Sequence, residues 1–481
     1  MPAGRAMSIA KAGALIAVPA SPESETWLTP PRTEYALKHL WALVSNGAPF
    51  CGSPRIRIHL AKKKDAALLL DSSPGEVPWV RASDLLVAGE KSPLEEEMLP
   101  VLFDSRVSAS GEFLAMADDG VIDCRVDLVS TAFFMLSRWE ETVGVRRDEM
   151  GRFPSVESVA SRHQFLDRPV VDEWAVILRT WLRSLAQDWR PKQSSFRINL
   201  THDVDKPIRY KSMLDIPLSV ASAVLKRKDI FEAAEQISIG IRAFGNRRVD
   251  PYYRGIQQLM SVSEAYGLRS SFFFMTADPG PFDYGYDLRE EPFLSILKEV
   301  QQRGHEIGFH PGYDTFRNPE RFFEEKRRFD AILGLGPFGG RQHYLRFDPS
   351  STWRLWEEAG LKYDSSLGYA DAAGFRCGTC HPFSVYDLNA DEELRLIEIP
   401  LIVMDGSLFS KDYQGLSPKD GFETALCLAR RCDSVGGVFT LLWHNSSLTG
   451  SFRKVAWVYN RLVREISIMS GHSLKESRAL R

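Results

Sequence analysis

The sequence has little cysteine, little net charge and no long apolar run. Six Cys among 481 residues are too few for a disulfide scaffold and fit a reducing compartment. Lys and Arg number 60 against 63 Asp and Glu, a formal net charge of −3. Such a chain exerts no bulk attraction on nucleic acid or an anionic membrane. No apolar stretch approaches the ~18 residues needed to cross a bilayer, so no integral membrane segment is expected. Residues 12–18 form a short apolar stretch after Lys11 that would make a poor signal peptide. They are expected to be a disordered leader or a first strand. The protein is expected to be cytoplasmic, export through that stretch being the alternative. Fixed-period repeats and low-complexity tracts are absent. Hydrophobic residues at 44% and charged residues at 26% are those of an ordinary globular chain.

What is present is a change of texture near residue 190. Helical spacing marks EYALKHLWALV (34–44), AFFMLSRWEE (132–141) and PVVDEWAVILRTWLRSL (169–185). The stretch 143–170, rich in Gly, Pro, Ser and charge, predicts loop, and DWRPKQSS (188–195) predicts a linker. Beyond it, extended runs at 196–205, 269–276, 305–310, 395–404 and 436–444 alternate with helical ones at 292–304, 320–333, 352–361 and 422–432. Strand-then-helix order predicts parallel strands in an α/β sheet or barrel. Two domains are expected, an accessory one at 1–190 and an α/β one at 195–481. Residues 211–250 add helical material, and their KRK run at 226–228 reads as a solvated face.

Chemistry in parallel α/β folds sits at the C-terminal ends of strands. The first strand ends in Thr201-His202-Asp203-Val204-Asp205, and alternation puts both carboxylates on one face. Two ionised carboxylates repel unless a cation or proton lies between them. Another strand closes on His310, and Asp314 follows the Pro311-Gly312 turn closely enough to reach the same point. Imidazole with carboxylates suits Zn, Mn, Co or Ni. His305 reads as a hydrogen-bonded core residue. The last strand runs into His444, a candidate acid or base. Arg346 is a candidate to orient an acid or bind an oxyanion. Cys377-Gly378-Thr379-Cys380-His381 has the spacing of a haem-attachment or redox motif. It lies in a loop-like stretch deep in the second domain, where neither is expected. As a zinc site, two Cys and a His would lack a fourth ligand.

In order, these segments resemble the NodB-like polysaccharide deacetylases over about 196–450. Thr201 to Asp205 stands where that family has T-F-D-D. Gly304-His305-Glu306-Ile307-Gly308 followed by His310 stands for its G-H-E-I-G…H element. Arg346-Phe347-Asp348-Pro349 echoes R-x-P, and Leu441-Leu442-Trp443-His444 its last apolar strand. Stretches 133–141, 151–160 and 169–174 resemble the uncharacterised domain that precedes a divergent bacterial branch of the family. The resemblance implies a distorted (β/α) barrel preceded by a smaller mixed α+β domain. It implies a divalent metal ion on Asp205, His310 and Asp314, with Asp203 as base, His444 as acid and Arg346 holding Asp203; the exchange of roles between Asp203 and Asp205 is the alternative. The implied substrate is an N- or O-acetylated carbohydrate of bacterial surface-polysaccharide synthesis. The sequence departs from the family where Asp314 replaces a His, Val204 splits the Asp pair and Asp348 precedes Pro349. One His with two carboxylates makes a harder site, for which Mn or Mg becomes an option. The alternative is a catalytically degenerate barrel acting as a carbohydrate-binding or scaffold protein.

Overall fold

The computed structural model describes residues 10–472, apart from 20–25, 52, 54, 63–64, 86–91, 93, 95, 105–112, 118, 145, 193 and 223–229. The KRK run at 226–228 lies outside the described residues. No helix among them is long and apolar enough to cross a membrane.

Before residue 190 the described strands are β1 (Ala10–Ala12), β2 (Leu15–Pro19), β3 (Ile56–Leu60), β4 (Trp79–Arg81), β5 (Met98–Pro100), β6 (Leu114–Met116) and β7 (Ile122–Cys124). Residues 12–18 thus belong to the β1–β2 hairpin, where Ala14, Leu15 and Ala17 are buried. One sheet has the order β1-β2-β3-β7-β6, and β4 with β5 makes a separate ribbon. In β3 the apolar Ile56, Ile58 and Leu60 are buried while Arg57 and His59 are half-buried, the period-two pattern of a strand with one covered face. Helices Pro30–Ser45, Leu128–Leu136 and Val170–Leu185 pack together beside this sheet. The first starts where Thr29 accepts the Arg32 N–H and Pro30-Pro31 have no N–H in need of an acceptor. The helical pattern predicted over 132–141 stops at Leu136. Arg138 there takes a left-handed backbone (φ 54°) and opens a 3-10 turn over Trp139–Thr142. Within the predicted loop, a short helix spans Val159–Arg162.

The second half holds β8 (Arg197–Val204), β9 (Ser270–Phe274), β10 (Glu306–Phe309), β11 (Tyr363–Asp364), β12 (Phe383–Asp387), β13 (Glu392–Glu398), β14 (Val403–Met404) and β15 (Val438–Leu442). Five are parallel, in the order β10-β9-β8-β15-β14. Single-residue parallel bridges, Phe309 to Gly340 and Gly340 to Asp364, carry the sheet on to β11, which pairs with β13, and β13 with β12. A Cβ on Gly340 would lie 1.8 Å from the Phe309 carbonyl oxygen, so only glycine lets the backbones approach this closely.

The result is a mixed α/β arc, not a regularly closed barrel. The strand predicted over 395–404 is divided, because Pro400 has no N–H to give to a ladder. On one side of it Ile399 donates to Asp364, and on the other Ile402 donates to Thr440. One extended segment therefore links the two edges where a continuous ladder would close a barrel.

The two halves share one apolar core, and buried charge ties them. Arg138 donates to Glu140, to Glu141 and to the Arg376 carbonyl, and Arg376 grips Glu141 at 2.6 and 2.9 Å. Glu141→Gln would leave the buried Arg376 guanidinium without its carboxylate partner, while Arg138 keeps Glu140. It is expected to destabilise the fold by about 3–5 kcal/mol, read as a lower denaturation midpoint with an unchanged m-value.

Candidate active site

Each catalytic candidate is delivered by the C-terminal end of a strand or by the turn just beyond it. In β8 the side chains alternate. His202 turns toward Phe272 and Tyr459, and its Nδ1 meets the Trp443 carbonyl, so it is a core residue. Asp203 and, past the strand end, Asp205 face the other way. Asp203 is buried and accepts 2.8 Å from Arg341, while its other oxygen lies 3.9 Å from His310 Nε2. Asp205 is where the imidazoles meet. One of its oxygens is 3.1 Å from His310 Nε2 and 3.7 Å from His343 Nε2, and the other is 3.7 Å from His444 Nε2.

The outer nitrogens decide the chemistry of the inner ones. His310 Nδ1 is 2.6 Å from the Arg341 carbonyl, which can only accept, so Nδ1 carries a proton. His343 Nδ1 is 2.8 Å from Asp283, and His444 Nδ1 is 2.7 Å from Asp405. All three rings therefore aim Nε2 at Asp205. Neutral rings would point lone pairs at a carboxylate, a repulsive arrangement that a cation or added protons relieve. Ligand atoms of Asp205, His310 and His343 lie within 4.8 Å of one another. Two imidazoles and one carboxylate, each imidazole fixed by a second partner, is a donor set that fits a divalent ion. Burial alone would raise the Asp205 carboxyl, but His343, His310 and His444 hold it well below the usual carboxylate range. Burial alone would lower His444, yet Asp405, Asp205 and Asp203 bring it up to about 10.

Residues 27–187 match the model of a family of unknown function, DUF7033. No curated protein matches. Among solved structures, a chain described as a candidate polysaccharide deacetylase from Mycobacterium smegmatis aligns at 16% identity, over 58% of this chain and 86% of that one. Its TM-score of 0.37 is too low to assign a fold.

Two sequence expectations are corrected by the geometry. Asp314 is not in the ligand group. After Pro311-Gly312 the chain enters a 3-10 turn over Tyr313–Thr315, which leaves the Asp314 side chain 58% exposed and 3.8 Å from Arg321. The second imidazole comes instead from His343. Arg346 does not hold Asp203. Its guanidinium donates to the Met150 carbonyl and the Tyr313 carbonyl and stacks on Tyr313 and Phe316 at 3.8 and 3.9 Å. Arg341 occupies the expected role. The overlooked signal was Gly339-Gly340 just before Arg341, which brings that segment against β10 like a strand. Asp283 and Asp405, which orient two of the rings, also escaped notice. His305 is the core residue expected, accepting from the Ser270 N–H and pairing with Glu264.

The two arginines make separable predictions. Arg341→Ala lowers turnover because Asp203 loses its buried partner. Arg346→Ala lowers stability by about 1–3 kcal/mol through lost charged hydrogen bonds and leaves turnover per folded molecule nearly unchanged. Turnover and denaturant midpoints on both variants check this.

Proposed function

We propose that the protein is a metal-dependent hydrolase of NodB-like type that removes N-acetyl, or O-acetyl, groups from a carbohydrate in bacterial surface-polysaccharide synthesis. The observation that carries the reading is the convergence of two Nδ1-anchored imidazoles and one carboxylate beside an Arg-held Asp and an Asp-held His. Asp205, His310 and His343 would hold the ion. With His343 in place of Asp314 the donor set is softer than the sequence suggested and favours Zn, Co or Ni over Mg. A divalent ion bound there supplies Lewis-acid polarisation of an acyl oxygen and acidifies a water. Asp203, fixed by Arg341 through Oδ1, keeps Oδ2 free to take a proton from the attacking water. His444, fixed by Asp405 through Nδ1, offers Nε2 as the proton donor to the departing amine or alcohol.

A carbohydrate suits the surroundings. Phe282 is 39% exposed and stacks on Tyr313 at 4.1 Å, and Tyr344 stands edge-on to both. Such a platform accepts the C–H face of a sugar ring. The N-terminal half braces it, since Arg152 donates to the Tyr344 carbonyl and to the Tyr413 hydroxyl. The scaffold alternative rests on the departures at Asp314, Val204 and Asp348, and the presence of His343 in the cluster supports the enzyme reading over it.

The test is acetate release from N- and O-acetylated oligosaccharides by metal-loaded and chelator-treated protein. Release that falls on chelation and returns with the ion is the expected result. A protein that binds no ion at these residues, and releases no acetate, sinks the enzyme reading in favour of the scaffold. Asp283→Asn is expected to weaken binding of the active-site ion about 10–100-fold, because His343 loses the carboxylate that orients it. Competition with a chelator of known affinity measures the shift.

A further inference from the structure

The geometry points to a second metal site, structural and of the zinc class, made by Asp172, Cys380, His381 and Cys432. Ligand atoms of Asp172, Cys380 and His381 lie within 4.8 Å of one another, and the Cys380 sulfur is 3.3 Å from Asp172. The Cys432 thiol neighbours Cys380 but stands outside that three-residue group, and a small inward shift would make it the fourth ligand. The donor that the Cys377–His381 motif lacks would then be supplied, though not as its spacing suggests. Cys377 turns away into the surroundings of Arg138 and Glu398, and the missing donors come from two distant helices, Val170–Leu185 and Pro418–Ser434.

Three features make this more than a packed cluster of polar groups. Asp172, Cys380 and Cys432 are buried, at 2%, 1% and 0% exposure. The hydrogen-bond donors to the Asp172 carboxylate are all neutral: the Thr379 hydroxyl, the Cys380 N–H and the Cys380 thiol. A buried carboxylate so placed is costly unless a cation or a proton neutralises it. Gly437 keeps the facing wall bare, since a Cβ there would stand 2.1 Å from the Cys380 sulfur and 3.4 Å from His381 Nε2.

Two sulfurs, an imidazole and a carboxylate are a zinc set, too soft for Mg or Ca. Binding converts two thiols to thiolates and releases two protons to solvent, with no change of oxidation state. The site joins the N-terminal half, through Asp172, to the loop before β12 and to the helix before β15. It touches none of the residues around Asp205.

Cobalt(II) distinguishes this site from the all-His and carboxylate one, because only thiolate ligation produces a near-ultraviolet sulfur-to-cobalt charge-transfer band. Full-length protein is stripped with chelator, reduced and titrated with cobalt(II). The expected result is a band that saturates at one equivalent per chain. It persists in Asp205→Ala, in Cys377→Ser and in the double variant of the exposed thiols, Cys51→Ser with Cys427→Ser. It is clearly weakened in Cys380→Ser and in Cys432→Ser and lost in the variant carrying both changes, with far-ultraviolet circular dichroism reporting whether each has folded. The absence of a band in the wild-type protein overturns the proposal, whatever the variants do. So does a band undiminished by loss of Cys380 or of Cys432, or one that survives loss of both. Mass spectrometry showing a Cys380–Cys432 disulfide in anaerobically purified protein overturns it in favour of a redox pair.

Discussion

Asp205→Ala is expected to lose the active-site ion and to lower turnover about 10³-fold or more. Lewis-acid assistance is worth several kcal/mol, and each 1.36 kcal/mol is tenfold. The choice of residue follows from the geometry, because Asp205 is the one carboxylate that all three imidazoles face, at 3.1, 3.7 and 3.7 Å. Its carboxyl is held well below the usual range by those rings, so it stays ionised under mildly acid conditions. The alanine variant leaves His310 and His343 anchored by Nδ1 but without the anionic ligand between them. Asp205→Asn preserves shape and removes the charge, so it separates packing from ligation. Elemental analysis together with acetate release checks both. Retention of the ion and of wild-type turnover in either variant would falsify the ligand assignment.

Asp203→Asn and His444→Ala form the second large prediction, each lowering turnover by about 10²–10⁴-fold. They are distinguishable by substrate. His444 is asked only to protonate a leaving group, so His444→Ala should nearly spare an aryl acetate whose leaving group departs without a proton. Asp203 acts on the water, so Asp203→Asn should impair both kinds of substrate. The double variant is expected to lose less than the product of the single losses, because the two act in one reaction path. Asp203→Asn also removes the carboxylate that Arg341 pairs with at 2.8 Å, so its denaturation midpoint is expected to fall while its ion is retained. Equal sparing of both substrates in both variants would show that the roles are misassigned.

How far the site could be read beforehand depended on where each residue sits relative to a strand. Asp203, Asp205, His310 and His444 each close a run of apolar or alternating residues, and a strand end is visible in the sequence because burial imposes a period on it. Asp314 and Arg346 were chosen by closeness in sequence and by motif order. In the fold, a single 3-10 turn carries Asp314 into solvent, and Arg346 spends its donors on two carbonyls. His343 and Arg341 reach the site from a segment that joins the sheet through one residue, Gly340, bridged on both sides, which has no periodicity to detect. Asp283 and Asp405 orient rings contributed by other segments, so no local pattern marks them. The same holds for Cys432, which lies more than fifty residues from the cysteine it faces.

Local chain chemistry by itself determined the parallel strands β8, β9, β10 and β15, the helices between them, and the face on which the two carboxylates of the first strand lie. These follow from side-chain period and from which residues can donate or cap, and both are properties of neighbours along the chain. Tertiary structure alone decided which imidazole completes the cluster, which arginine holds Asp203, and that the ladder breaks at Pro400. Those outcomes depend on where backbones far apart in sequence pack against one another, and a few ångströms of packing separate a ligand from a surface carboxylate.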